Sequence, residues 1–276
     1  MNVRPSGGNA DHTAVRGTTM NDDSFTPVTV DGKRAVVIGG TSGIGQSIAY
    51  GFAADGADVI ATSRRESAVK ETANRLRDLG AETIAVTCDV TKQDSIDKFQ
   101  SSVLDAFGEV DLVVTSQGAI SRDSVREISD EAWDQVIDVQ LNGVKRVVQA
   151  FSPSMAEGGN FIIISSLTAR LAMANVPAYS AAKGGVEAFV RAAAKELAPE
   201  IRVNGIAPGF VITPQNADQY AEGMEKRERI ERRCPLGRVG DREEMVGAAI
   251  YLGSDAASYT TAEILTVDGG FAPSAL

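Results

Sequence analysis

Tyr179 stands four residues before Lys183 in the stretch PAYSAAKG, residues 177–184. On a helix that interval places both side chains on one face. A tyrosine titrates near 10, too high to give and take a proton at neutral pH. A neighbouring ammonium favours the phenolate and draws that value toward the working range. Upstream, the apolar run NFIII ends in Ser165-Ser166, and a hydroxyl at Ser166 would hold an oxygen on which charge develops. Proton donor, cation and hydroxyl together suit hydride transfer between a nicotinamide and a carbonyl or secondary alcohol, with no metal required. The plainer reading of the same residues is a helix start with a capping serine and a solvated lysine.

Competing chemistries fall away on composition. The only histidine is His12, in a polar leader, which removes Ser-His-Asp, Cys-His and His-ligated metal sites. The two cysteines, Cys88 and Cys234, lie far apart and offer no zinc spacing. Cys88 sits in an apolar run and reads as a reduced core residue. With 37 acidic against 27 basic residues, the net charge is −10. Such a surface repels phosphate backbones and argues against nucleic-acid or anionic-membrane partners. Scarce lysine and abundant carboxylate fit a salt-adapted cytoplasm as well as simple solubility. No apolar run approaches a membrane span and the leader lacks a signal-peptide core, so a cytoplasmic location is expected.

Elements must position these groups. Residues 1–30 show no apolar period and are expected to form a disordered extension, with one domain over 31–276. Seven short runs rich in Val and Ile follow: 34–39, 57–62, 83–88, 111–116, 160–165, 201–207 and 263–267. They are apolar on both faces, as buried parallel strands are. Helical periodicity fills 43–55, 66–79, 93–107, 130–154, 178–199 and 241–253. The alternation predicts an α/β, Rossmann-type doubly wound fold around a seven-stranded parallel sheet. It also sets Ser166 and Tyr179 at the carboxyl ends of the strands, where such sheets bind ligands.

The first strand runs into Gly39-Gly40-Thr41-Ser42-Gly43-Ile44-Gly45 and then a helix. Glycines at 39, 43 and 45 permit a tight turn and close approach to a pyrophosphate, with Thr41, Ser42 and Ile44 beside it and the helix N-terminus facing the phosphates. The second strand ends in Ser63-Arg64-Arg65, with two guanidiniums and no carboxylate where a ribose 2′ position is read. That favours NADP(H) over NAD(H). Solvated arginines opening a helix are the plainer alternative.

The Gly-x3-Gly-x-Gly turn, together with Ser166, Tyr179 and Lys183, resembles the short-chain dehydrogenase/reductase family over residues 32–270. The thirteen-residue interval from Ser166 to Tyr179 matches the family's. The resemblance implies that Asp89 and Val90 flank the adenine, that Gly118 allows cofactor approach, and that Lys183 also binds the nicotinamide ribose. Pro208, Gly209, Ile212 and Thr213 match the segment beside the nicotinamide, and Asp268-Gly269-Gly270 a structural turn. It also implies a homotetramer through segments 130–154 and 178–199, with the terminal FAPSAL packing across a subunit.

Several positions depart from the family pattern. Ile38 replaces a Thr, Thr115-Ser116-Gln117 replaces Asn-Asn-Ala, Gln140 stands where an Asn supports a water relay beneath the lysine, and Ala262 replaces a Gly as a matter of packing. Gln140 keeps the donor and acceptor but adds a methylene. A disturbed relay leaves a non-catalytic nucleotide sensor as an alternative to catalysis. Residues 214–233 carry Glu222–Lys226, Glu225–Arg229 and Glu228–Arg232 pairs at i,i+4 and read as an exposed helical lid, or simply a solvated helix. Arginines 227, 229, 232 and 233 face an anionic substrate only if glutamates do not claim them. The polar lid favours a small hydroxylated substrate, a sugar acid or polyol as in gluconate dehydrogenases. A 3-oxoacyl-thioester reductase is the alternative.

Overall fold

A computed structural model describes residues 26–274. Most of the expected disordered extension, residues 1–25, lies outside the described residues, as do 275 and 276. The packed body begins earlier than residue 31. Val30 is fully buried and its amide donates to Asp55 Oδ2 at 2.7 Å.

Strand β1 (Arg34–Ile38) leads into α1 (Gly43–Ala54), then β2 (Asp58–Thr62), α2 (Glu66–Asp78), α3 (Gln93–Phe107) and β3 (Val110–Thr115). The central rod comprises α4 (Asp130–Ile137), a π-helical turn over Asp138–Asn142, and α5 (Gly143–Phe151). Next come β4 (Met155–Ile164), α6 (Pro177–Leu197), β5 (Arg202–Pro208) and the short β6 (Val211–Ile212). The chain closes with α7 (Glu225–Arg233), β7 (Gly240–Asp241), α8 (Met245–Gly253) and β8 (Ile264–Val267).

The main sheet has six parallel strands in the order β2-β1-β3-β4-β5-β8, and β6 pairs with β7 beside it. The expected seventh strand, 83–88, runs along the outer edge of β2 without a continuous ladder. Val59 N–H donates to Glu82 O at one end and Cys88 N–H to Ser63 O at the other. Between them the Thr62 hydroxyl takes the Val86 carbonyl at 2.6 Å. A side chain thus occupies the acceptor that a strand partner's amide would use.

Strand alternation splits the core into two layers. Val36, Ile38, Phe161 and Ile163 face α3, α5 and α6, packing with Phe99, Phe151 and Val186. Val37, Ile162 and Ile164 face the opposite layer, with Ile48, Phe52 and Leu252 from α1 and α8. The six strands therefore end together on one side of the sheet, and the site is built at those ends.

Candidate active site

The glycine turn divides its labour. Gly39 has φ 75° and Gly43 φ 55°, both in the left-handed region that favours glycine. A Cβ on Gly39 would stand 2.5 Å from the Gln117 amide nitrogen, and one on Gly45 at 2.5 Å from the Gly39 carbonyl oxygen. These two glycines serve the packing of β1, α1 and the end of β3. Around Gly43 the nearest atom to such a Cβ is Gln215 Oε1 at 3.5 Å. Gly43 is therefore the open one. The α1 N-cap is Ser42, whose side chain caps none of the helix's own amides and instead accepts from Gln215 Nε2 at 3.2 Å. The first-turn amides stay free for an anion.

From this turn a cleft of about 670 Å³ runs across the strand ends. Thr41, Ser42, Gly43 and Ile44 line one end, and the Thr41 hydroxyl ties that turn to Ser63 Oγ at 2.8 Å. Ser63, Arg64 and Arg65 continue the wall, the two arginines exposed. Asp89 and Val90 follow. The Asp89 carboxylate accepts from the Thr91 amide and hydroxyl. Burial opposes its charge, yet those bonds and the nearby Arg64 hold it below the usual carboxylate range. Asp89 is thus both a turn former and a wall of the cleft. Cys88 beside it is a free, buried thiol pushed up to about 12 by burial, hence unreactive.

Ser166, Tyr179 and Lys183 meet in the middle of the cleft. Ser166 follows the end of β4, and its Oγ accepts from Thr168 N–H at 3.2 Å, so it is a cap as well as a site residue. Lys183 is buried and donates from Nζ to the Ile164 carbonyl at 2.6 Å, 5.6 Å from the centroid of the Tyr179 ring. Burial lowers the Lys183 ammonium to about 7. Burial also raises the Tyr179 phenol above its ordinary value, with the Ser166 hydroxyl opposing. The expected lowering of Tyr179 by Lys183 is therefore not what the protein alone does. The lysine is itself desolvated, and its proton serves a main-chain carbonyl. A neutral phenol is the form that donates a proton.

Gln140 sits in the π-helical turn, 3% exposed, and lines the cleft near Gly118. Its Nε2 donates to Ala119 O at 2.8 Å while its Oε1 is buried without a protein partner. Gln117 Nε2 reaches Val139 O at 3.4 Å, and Thr115 Oγ1 is left unpartnered. These side chains rebuild the support of the β3 end differently from the family pattern. Pro208, Gly209 and Thr213 line the far wall, whereas Gly45 and Ile212 do not. The Ile212 side chain turns into an apolar cluster with Leu167, Tyr220 and Phe271. Phe271 is buried there, edge-on to Phe210 at 4.8 Å, so this residue packs on its own chain. Ala262 has φ 63°, which makes that substitution a matter of backbone rather than packing.

The cleft also holds residues that no motif announced: Arg122, Thr168, Phe210, Tyr220 and Lys226. They come from three separate loops and from the segment 214–233, and only the fold assembles them. In α7, Glu228–Arg232 forms at 3.5 Å and Arg227 pairs with Glu231 at 2.7 Å. Lys226 instead donates to Gln219 Oε1, and no Glu225–Arg229 ion pair forms among the described residues.

The model of the family described as enoyl-(acyl carrier protein) reductase matches residues 39–272. The chain belongs to the short-chain dehydrogenase/reductase family. As a member of that family it is an oxidoreductase and binds a nicotinamide cofactor. It is 35% identical to a 2-dehydro-3-deoxy-D-gluconate 5-dehydrogenase of Pseudoalteromonas atlantica, over 88% of this chain and 96% of that one. It is 38% identical to a 3-oxoacyl-(acyl-carrier-protein) reductase of Chlamydia muridarum, over 87% and 97%. Among solved short-chain dehydrogenase structures, it matches a Beutenbergia cavernae protein provisionally named an NAD(P)-dependent gluconate 5-dehydrogenase, with NADP bound at low occupancy. That match has a TM-score of 0.83 and 36% identity, covering 90% of this chain and 100% of the other. Among the described residues, no helix is long and apolar enough to cross a membrane and no cluster suited to a metal ion occurs.

Proposed function

We propose that the protein transfers a hydride between NADP(H) and a carbonyl or secondary alcohol of a small sugar acid or polyol. The convergence of Ser166, Tyr179 and Lys183 in the cleft that begins at the glycine turn carries this reading. The free α1 amides and the left-handed Gly43 fit a pyrophosphate, and Arg64 and Arg65 fit a 2′-phosphate better than a free ribose diol.

A bound nicotinamide supplies or accepts the hydride; the proton belongs to the protein. In reduction, the neutral Tyr179 phenol gives its proton to the substrate oxygen as that oxygen gains charge. The Ser166 hydroxyl holds the same oxygen by hydrogen bonding. Lys183, anchored on Ile164, fixes the face of α6 on which Tyr179 stands, and in its protonated form it favours the phenolate. Oxidation of an alcohol runs the same steps backwards. A cytoplasmic homotetramer and a closing lid over residues 214–233 belong to the same proposal.

The test is turnover of NADPH and NADH with 5-ketogluconate and with acetoacetyl-CoA, followed by absorbance. Tyr179→Phe is expected to reduce kcat by about 10²–10⁴-fold while retaining cofactor binding. Preference for acetoacetyl-CoA would move the assignment to the thioester reductases, a reading supported by the Chlamydia muridarum relative.

A further inference from the structure

The lid end of the cleft gathers positive charge without pairing it. Arg122, from the loop after β3, and Lys226, from α7, both line this end. Neither meets a carboxylate within ion-pair distance among the described residues, although the whole chain carries a net charge of −10. The neighbouring lid cations are engaged elsewhere: Arg227 and Arg232 on glutamates, and Arg233 over the Phe271 ring at 4.5 Å. Lys226 lies 5.0 Å from the centroid of the Tyr220 ring, another cleft residue.

Two further observations point to a ligand. Burial, and then the charge of Arg122, lower the Lys226 ammonium, although both side chains reach solvent at the rim of the cleft. Thr168, only 9% exposed and also in the cleft wall, has a buried hydroxyl with no hydrogen-bond partner. Two unpaired cations and an unsatisfied hydroxyl lining one cavity are a complement to an anion.

We infer that Arg122, Lys226 and the Thr168 hydroxyl form an anion-binding end of the substrate site, which selects substrates bearing a carboxylate. This rests on the dehydrogenase reading above. The carboxylate of a six-carbon sugar acid lies only a few bonds from its reacting carbon, within reach of a single cleft. The carbon chain of an acyl thioester carries no charge at that distance, and its phosphates lie at the end of a long neutral arm.

The experiment compares D-gluconate with D-glucitol, which differ only in carboxylate against hydroxymethyl at one terminus, using NADP⁺. Wild type is expected to favour gluconate by at least ~10-fold in kcat/KM. Arg122→Gln and Lys226→Gln are each expected to cut that ratio by roughly 10-fold, through KM for gluconate. Arg229→Gln, an exposed lid arginine outside the cleft, is expected to leave the ratio unchanged. An unchanged ratio in both cleft variants would overturn the inference, as would parallel losses on both alcohols. A preference for glucitol 6-phosphate over gluconate would replace carboxylate by phosphate and overturn it in that form. If neither alcohol reacts, the substrate reading fails, and calorimetry of gluconate with the NADP⁺-loaded protein decides the anion site separately. Binding weakened by either variant supports the site; equal binding of gluconate and glucitol rejects it.

Discussion

Lys183 Nζ lies 2.6 Å from the carbonyl oxygen of Ile164, joining the second turn of α6 to the last residue of β4. The contact locks the helix that carries Tyr179 against the strand that delivers Ser166. It also takes the ammonium out of water, which is why its affinity for a proton falls to about 7.

A pH dependence of stability follows from that burial. The unfolded lysine titrates near 10.4, so between about 7 and 10.4 the unfolded chain binds more protons than the folded one. The destabilisation by Lys183 is complete below pH 7 and is relieved as pH rises through this window. Lys183→Met removes the titration at similar size. The Tm of the variant minus that of wild type is expected to be more positive at pH 6 than at pH 9, by differential scanning fluorimetry without cofactor. A difference independent of pH would show that the lysine is not neutralised on folding.

Arg64 and Arg65 line the cleft at the end of β2 and are exposed. The double variant Arg64→Ala/Arg65→Ala is expected to lower kcat/KM for NADPH by about 10–100-fold, as the loss of charged hydrogen bonds to a phosphate should. NADH kinetics should change by less than about threefold on the same principle. Equal losses with both cofactors would assign the arginines to the shared part of the dinucleotide.

Gln140 donates from Nε2 to Ala119 O at 2.8 Å, a bond that a side chain one methylene shorter is expected not to reach. Both Gln140→Ala and Gln140→Asn should leave that carbonyl unpaired, at a cost of about 1–3 kcal/mol. Urea denaturation of the two variants should therefore show similar losses. Full stability of Gln140→Asn would mean that the shorter amide serves equally well here.

Ala262, at φ 63°, holds a conformation in which its Cβ is strained. Glycine relieves that strain but loosens the unfolded chain, for a net gain of about 0.5–1 kcal/mol. Ala262→Gly should raise Tm by roughly 1–4 °C. A fall would mean that the methyl contributes more through packing than it strains.

The parts visible in the sequence were those whose spacing is local. The interval from Tyr179 to Lys183 is a helical turn, and Gly39 to Gly45 is one strand–turn–helix, so both sites can be read along the chain. Helices α1, α2 and α3 likewise match their periodic segments to within a residue at each end. The run 83–88 has the composition of a strand, but whether it ladders is decided by Thr62, a residue of its neighbour. The expected Glu222–Lys226 pair is absent for a related reason: Lys226 has a closer amide in Gln219 than a carboxylate one turn away. Arg122 and Lys226 are about a hundred residues apart, and nothing in either neighbourhood marks them as facing the same cavity.

The π-helical turn at Asp138–Asn142 sets the phase between the two halves of the rod that contains it. Gly143 N–H reaches back five residues to Asp138 O, so the turn holds one residue more than an α-helix would need. That extra residue rotates every later side chain by about 100°. Before it, Val136 faces Ala178 and Ala182, next to Tyr179. After it, Phe151 faces Phe99 in the other direction, with ring centroids 6.1 Å apart. One continuous helix thus addresses two partners that an unbroken period could not serve together. Losing a single residue here would leave the rod helical and its composition almost unchanged, yet it would turn one of those faces away from its partner. The central helix is therefore expected to be intolerant of a one-residue deletion at this turn.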